Sequence, residues 1–144
     1  MNELFKNDID LDQKNHRYIL AENPEFDFQS VTEFIHHFFE KFDKIGVAQK
    51  LINTNPKYSG KTIEQVVKDW SKGAERGTIV HNELEMFIKK NQAPEHKMSI
   101  MGANWIKEKQ KNPHNTFYSE VIVFSKELGI AGTIDVLVYN SEQD

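Results

Sequence analysis

His81, Glu120 and Asp135 are the residues of this 144-residue sequence whose types and spacing could do chemistry. Glu120 and Asp135 lie in two β-branched and aromatic runs, 116–125 and 130–139, joined by Lys126-Glu127-Leu128-Gly129. A turn centred between Glu127 and Leu128 sets Ser125 opposite Ile130 and Glu120 opposite Asp135. Directly opposed side chains on one face of an antiparallel pair have Cβ atoms about 4.5–5.5 Å apart. Two bare carboxylates that close repel each other. A divalent cation beside both makes the pair favourable, and hard oxygen ligands suit Mg²⁺ and Mn²⁺. A one-residue slip, or a bulge that causes one, puts the two acids on opposite faces instead.

Gly132, just before Asp135, weakens a strand unless another group approaches its backbone closely. It fits either a groove beside a buried acid or a bulge with Asp135 facing solvent. His81 and Glu85 share one face of a predicted helix. A carboxylate that holds an imidazole is a common way to orient a metal ligand. The plainer reading of a lone helical histidine is a surface or core residue.

The elements that must position these groups follow from periodicity and caps. Residues 16–20 read as a short strand, and Asn23-Pro24 as a turn. Ser30-Val31-Thr32-Glu33 is a capping box, so a helix starts at Val31. Val31, Phe34, Ile35, Phe38, Phe39 and Phe42 then form one apolar face, expected in the core. The adjacent His36 and His37 point in different directions and are expected to face solvent. A weaker helical stretch carries Val47, Ala48, Leu51 and Ile52, and a loop with Pro56 follows. Thr62 and Gln65 form a second capping box. The helix it starts is expected to bend or break near Gly77, since Gly73 and Gly77 each cost about 1 kcal/mol relative to Ala. A further helix runs to about Lys90 with Pro94 beyond it. Another covers 98–111, with Met98, Met101, Trp105 and Ile106 facing inward. Asn112-Pro113-His114-Asn115 is a turn, and the period then becomes strand-like. Gly129 is expected to take a positive φ in the hairpin turn.

Composition narrows the function classes. Apolar residues are 38% and charged residues 28%, a globular balance. There are no cysteines, which removes disulfides, cysteine-ligated zinc and a thiol nucleophile. No apolar run approaches the length of a membrane span, and Met1–Lys6 carries no secretory h-region. The sequence therefore reads as a cytoplasmic protein. The net charge of −4 argues against a protein that coats nucleic acid. It argues less against an acidic metal site, which is neutralised once loaded. Every basic residue except Arg17 and Arg76 is a lysine. Lys89, Lys90, Lys107, Lys109 and Lys111 read first as solvated faces, with DNA-backbone contact as the alternative.

Glu75-Arg76-Gly77-Thr78-Ile79-Val80-His81-Asn82-Glu83-Leu84-Glu85 resembles the first motif of RecB-like nucleases, a Gly-Thr followed by a helical histidine. Glu120, then Gly129-Ile130-Ala131-Gly132-Thr133-Ile134-Asp135, resembles the next, in which an acid closing G-x-x-G-x-x-D binds the metal. Ser30-Val31-Thr32 is similar to a segment near the start of phage-type members. The ordered set spans about 16–139 and resembles the PD-(D/E)XK nuclease superfamily, in its RecB-like, phage exonuclease-type branch. The resemblance implies Mg²⁺- or Mn²⁺-dependent phosphodiester hydrolysis of DNA. Asp135 becomes the central metal ligand, and Glu120 and His81 become direct or water-mediated ligands. Glu85, Ser30, Thr32, Thr78 and Thr133 become supporting or substrate-binding groups. It also implies a bacterial cytoplasm or a phage-infected cell.

One part of the family pattern is missing. The acid-x-Lys triplet on the strand after Asp135 does not occur before Asp144, so the catalytic lysine is unassigned. Asp12-Gln13-Lys14 and Glu95-His96-Lys97 have the right spacing in the wrong place. The expectation is a single α+β (α/β) domain over 1–144. Its helices pack on a small mixed sheet with a C-terminal β-hairpin, a restriction-endonuclease-like core lacking its last part. As it stands the chain is expected to have little nuclease activity and to self-associate through an exposed sheet edge. The alternative is a non-catalytic nucleic-acid-binding or structural module on a degenerate nuclease scaffold.

Overall fold

The computed structural model describes residues 8–143. It is a mixed α+β chain, with helices, two small sheets and a C-terminal hairpin. The described residues divide into two compact units, one formed by residues 8–40 and 110–143, the other by 41–109. No helix among the described residues is long and apolar enough to cross a membrane.

The first unit opens with a hairpin of β1 (Ile9–Asp12) and β2 (Arg17–Leu20). Asp12 closes its turn by accepting from the backbone N–H groups of Lys14 and Asn15 and from the Asn15 amide, at 3.0, 3.3 and 2.7 Å. That role accounts for the Asp12-Gln13-Lys14 triplet as turn chemistry. A second, three-stranded sheet has the order β3-β5-β4, from β3 (Gln29–Ser30), β4 (Asn115–Ser125) and β5 (Ile130–Asn140). The β4–β5 pair is antiparallel and runs from Asn115↔Asn140 to Ser125↔Ile130. That is the register expected from the turn, and Gly129 has φ 62°. β3 lies parallel to β5 but covers only its first two residues. The β1–β2 hairpin covers the sheet with a core of Ile9, Tyr18, Leu20, Phe28 and Ala131.

The helix after Ser30 differs from the expectation. The capping box forms as read, with the Ser30 hydroxyl accepting from Glu33 N–H and the Glu33 carboxylate accepting from Ser30 N–H. The helix α1 spans only Val31–His36, however, and buries no residue. Phe38, Phe39 and Phe42 are 69%, 69% and 63% exposed, so the apolar stripe is not core. Asp43 caps the next helix, its side chain accepting from Ile45 and Gly46 N–H, and the chain must leave α1 geometry to reach that cap.

The second unit holds α2 (Lys44–Thr54), α3 (Ile63–Lys90) and α4 (Lys97–Gln110), with a 3₁₀ turn at Pro56–Tyr58. Fully buried Ala48 and Val66 mark the inward faces of α2 and α3. The expected break at Gly77 is absent, and α3 is one helix of 28 residues. Without a proline, a glycine costing about 1 kcal/mol is too small a penalty to interrupt it. The helix ends at Asn91 in the left-handed conformation. The inward face of α4 agrees with the expectation at Ile106 and differs from it at the other three positions. Met98, Met101 and Trp105 are exposed, while Ser99, Ala103 and Ile106 are buried. Small residues let α4 approach α3 closely, and a Cβ on Gly102 would meet the Leu84 side chain at 3.0 Å.

Candidate metal and phosphate site

Glu120 and Asp135 occupy corresponding steps of the β4–β5 ladder but are not themselves a ladder pair. Ser119↔Val136 and Val121↔Ile134 flank this position in unbroken register. No residue is inserted, so the slip that would separate the acids does not occur. The ladder is distorted at this one step, because Glu120 has φ 55°. A non-glycine residue in the left-handed region costs about 1–3 kcal/mol and persists where its surroundings over-determine it. Glu120 is half-buried and Asp135 is exposed.

Both acids line a cleft of about 790 Å³ in the first unit. Its other walls come from β2 and from the β3–α1 junction, and they include Tyr18, Ser30, Thr32, Glu33 and His36. Thr133 also lines the cleft, with its Oγ1 3.1 Å from the Tyr18 hydroxyl. Strand alternation puts Asp135 on the same side of β5 as Thr133. Gly132 has the close approach that its place in the strand suggests, since a Cβ there would lie 2.9 Å from Val31 Cγ2. The glycine thus lets α1 carry Ser30 and Thr32 up to the strand that bears Asp135.

The remaining expected residues lie on α3 in the second unit. A His81 ring nitrogen and a Glu85 carboxylate oxygen are within 4.8 Å of each other, as their spacing implies. Glu85 also accepts from Lys89 Nζ at 2.8 Å. Thr78 turns its hydroxyl to the Ala74 carbonyl at 3.2 Å, a contact within its own helix. In Glu95-His96-Lys97, the His96 N–H donates to Glu83, so this triplet serves the start of α4. The Ser99 hydroxyl first, then the backbone N–H groups of His96 and Glu95, hold the Glu83 carboxyl below its ordinary range against an opposing desolvation.

Two cleft residues lie outside the set expected from the sequence. His36 is exposed, as expected, yet it lines the cleft with the acids. Glu33 reads from sequence only as a cap. The signal is present: His36 follows Thr32 by one helical turn, and those positions share a face.

The donor set is chemically coherent. Mg²⁺ usually keeps several waters and binds through one or two carboxylates together with substrate phosphates. Glu120 and Asp135 supply two carboxylates in an open cleft, and hydroxyls from Ser30, Thr32 and Thr133 stand around them. No family model matches the sequence, and no curated protein or solved structure matches it.

Proposed function

We propose that this chain is a metal-dependent DNA nuclease domain of the PD-(D/E)XK type, with an exonuclease-like reaction. The observation that carries the reading is that Glu120 and Asp135, at corresponding steps of an unslipped ladder, both line one cleft. The order of the motifs, from Ser30-Val31-Thr32 through His81 to Asp135, supports it.

In this reading Glu120 and Asp135 hold Mg²⁺ or Mn²⁺. The bound cation would polarise the phosphate and lower the pKa of an attacking water. The two carboxylates fix where the phosphate can sit, because they lie on neighbouring strands of one sheet. The Thr32 and Thr133 hydroxyls donate hydrogen bonds to the non-bridging oxygens, while the Ser30 hydroxyl, which donates to Glu33, supports the start of α1 beside them. Thr133 is positioned by Tyr18, so its rotamer is set before substrate arrives. His81 and Glu85 are assigned to the same chemistry, as their motif implies.

Calorimetric titration of the chain with Mn²⁺ tests the reading. Binding that disappears in Asp135→Ala, with the circular dichroism spectrum retained, is the expected result. No binding to the unsubstituted chain would overturn it and favour a scaffold without chemistry.

A further inference from the structure

A second cleft of about 720 Å³ lies beside the first, within the same unit. The two share His16, Glu33 and His36 as walls, so they adjoin. Their chemistry differs. The first cleft presents Glu120 and Asp135, whereas the second presents Arg17 and His37. Arg17 forms no ion pair among the described residues. Its neighbour His16 sits in the left-handed region at φ 51°, at the end of the β1–β2 turn. The floor is tied to the sheet: Gln29 N–H donates to the Gly129 carbonyl at 2.9 Å, and the Gln29 amide meets His37 Nε2 at 2.8 Å. Glu33 also lines this cleft, but its carboxylate is engaged by Ser30. Asp27 and Glu33 are the opposing carboxylates.

We propose that the second cleft is a phosphodiester subsite, in which Arg17 grips the phosphate flanking the one held at Glu120 and Asp135. The inference rests on the nuclease reading for the identity of the anion. A guanidinium offers two parallel donors to phosphate oxygens, which an unpaired arginine beside a carboxylate site is suited to use. His16 and His36 stand where the two clefts join and donate to the bridging stretch of backbone. Asp27 sets an upper limit on affinity, because it repels the same phosphate.

Binding of fluorescein-labelled hexathymidylate, followed by anisotropy in EDTA, tests this. The measurement is made on the full chain carrying Glu120→Gln and Asp135→Asn, which removes turnover and the repulsion of the empty acids. A single-strand phosphate contact contributes about 0.7 to the slope of log affinity against log salt. Arg17→Ala is expected to weaken binding and to lower that slope by this amount. Arg76→Ala, in the second unit, is expected to change neither quantity. Asp27→Asn is expected to tighten binding. Arg17 and Asp27 are exposed, and an unchanged thermal melt verifies that the fold survives. Absent binding, equal losses in Arg17→Ala and Arg76→Ala, or an unchanged slope in Arg17→Ala would overturn the subsite. The readout needs neither metal nor cleavage, so failure of the cation site leaves its own separate signature in the Mn²⁺ titration.

Discussion

Glu120 concentrates the conflict between stability and chemistry in one backbone angle. Its φ of 55° coincides with the break in the β4–β5 ladder at the step it shares with Asp135. Replacing it with glycine removes strain of about 1–3 kcal/mol. The added freedom of the unfolded chain costs about 0.5–1 kcal/mol. Relief outweighs cost, so Glu120→Gly should raise stability in urea unfolding while it removes Mn²⁺ binding. Gly132 is the opposite case. Gly132→Ala should destabilise the protein by about 1–3 kcal/mol, because its Cβ would press on Val31. Adding Val31→Ala should recover part of that loss, and a double-mutant cycle in urea measures the coupling. The sequence leaves Gly132 open between a close approach and a bulge. It does not reveal Val31, because the neighbour arrives through the β3–α1 junction, a pairing of two residues that no periodicity marks.

At the scale of elements, caps and register are legible in the sequence and faces are not. Ser30, Thr62 and the Lys126–Gly129 turn act through neighbours a few residues away, so their chemistry is written locally. The inward faces of α1 and α4 depend on what packs against them. The phenylalanines after His36 follow a helical period, but the helix stops before they can share a face. In α4 the buried side carries Ser99 and Ala103 beside Ile106, while Met98, Met101 and Trp105 point away. β1 is not legible, because four residues ending in Asp12 give too short an alternation to recognise. The uninterrupted α3 yields a prediction of its own. Gly77 lies inside the helix, and a Cβ added there would meet nothing within 4 Å. Gly77→Ala should therefore stabilise by about 1 kcal/mol in thermal or urea unfolding. A hinge at this position would instead lose stability on that substitution.

Over the whole molecule, acid sensitivity and the cation site can be separated. Glu83 is held below its ordinary value, near 4.5, chiefly by the Ser99 hydroxyl. A depressed carboxyl contributes stability above its unfolded value and loses it as pH falls through the lower, folded one. Thermal melts of Glu83→Gln should therefore lie below the unsubstituted chain at neutral pH, and the gap should close as pH drops beneath about 4.5. Glu83 belongs to the second unit, far in sequence from the strands that carry the acids of the cleft. Its loss should leave Mn²⁺ binding intact. The shared cation is tested most directly by Mn²⁺ affinity in Glu120→Gln, Asp135→Asn and the double variant. If both acids hold one cation, each single change should weaken binding at least about tenfold, and the double variant should lose little more than the worse single one. Affinities that stay near that of the unsubstituted chain, or losses that simply add, would contradict a shared cation.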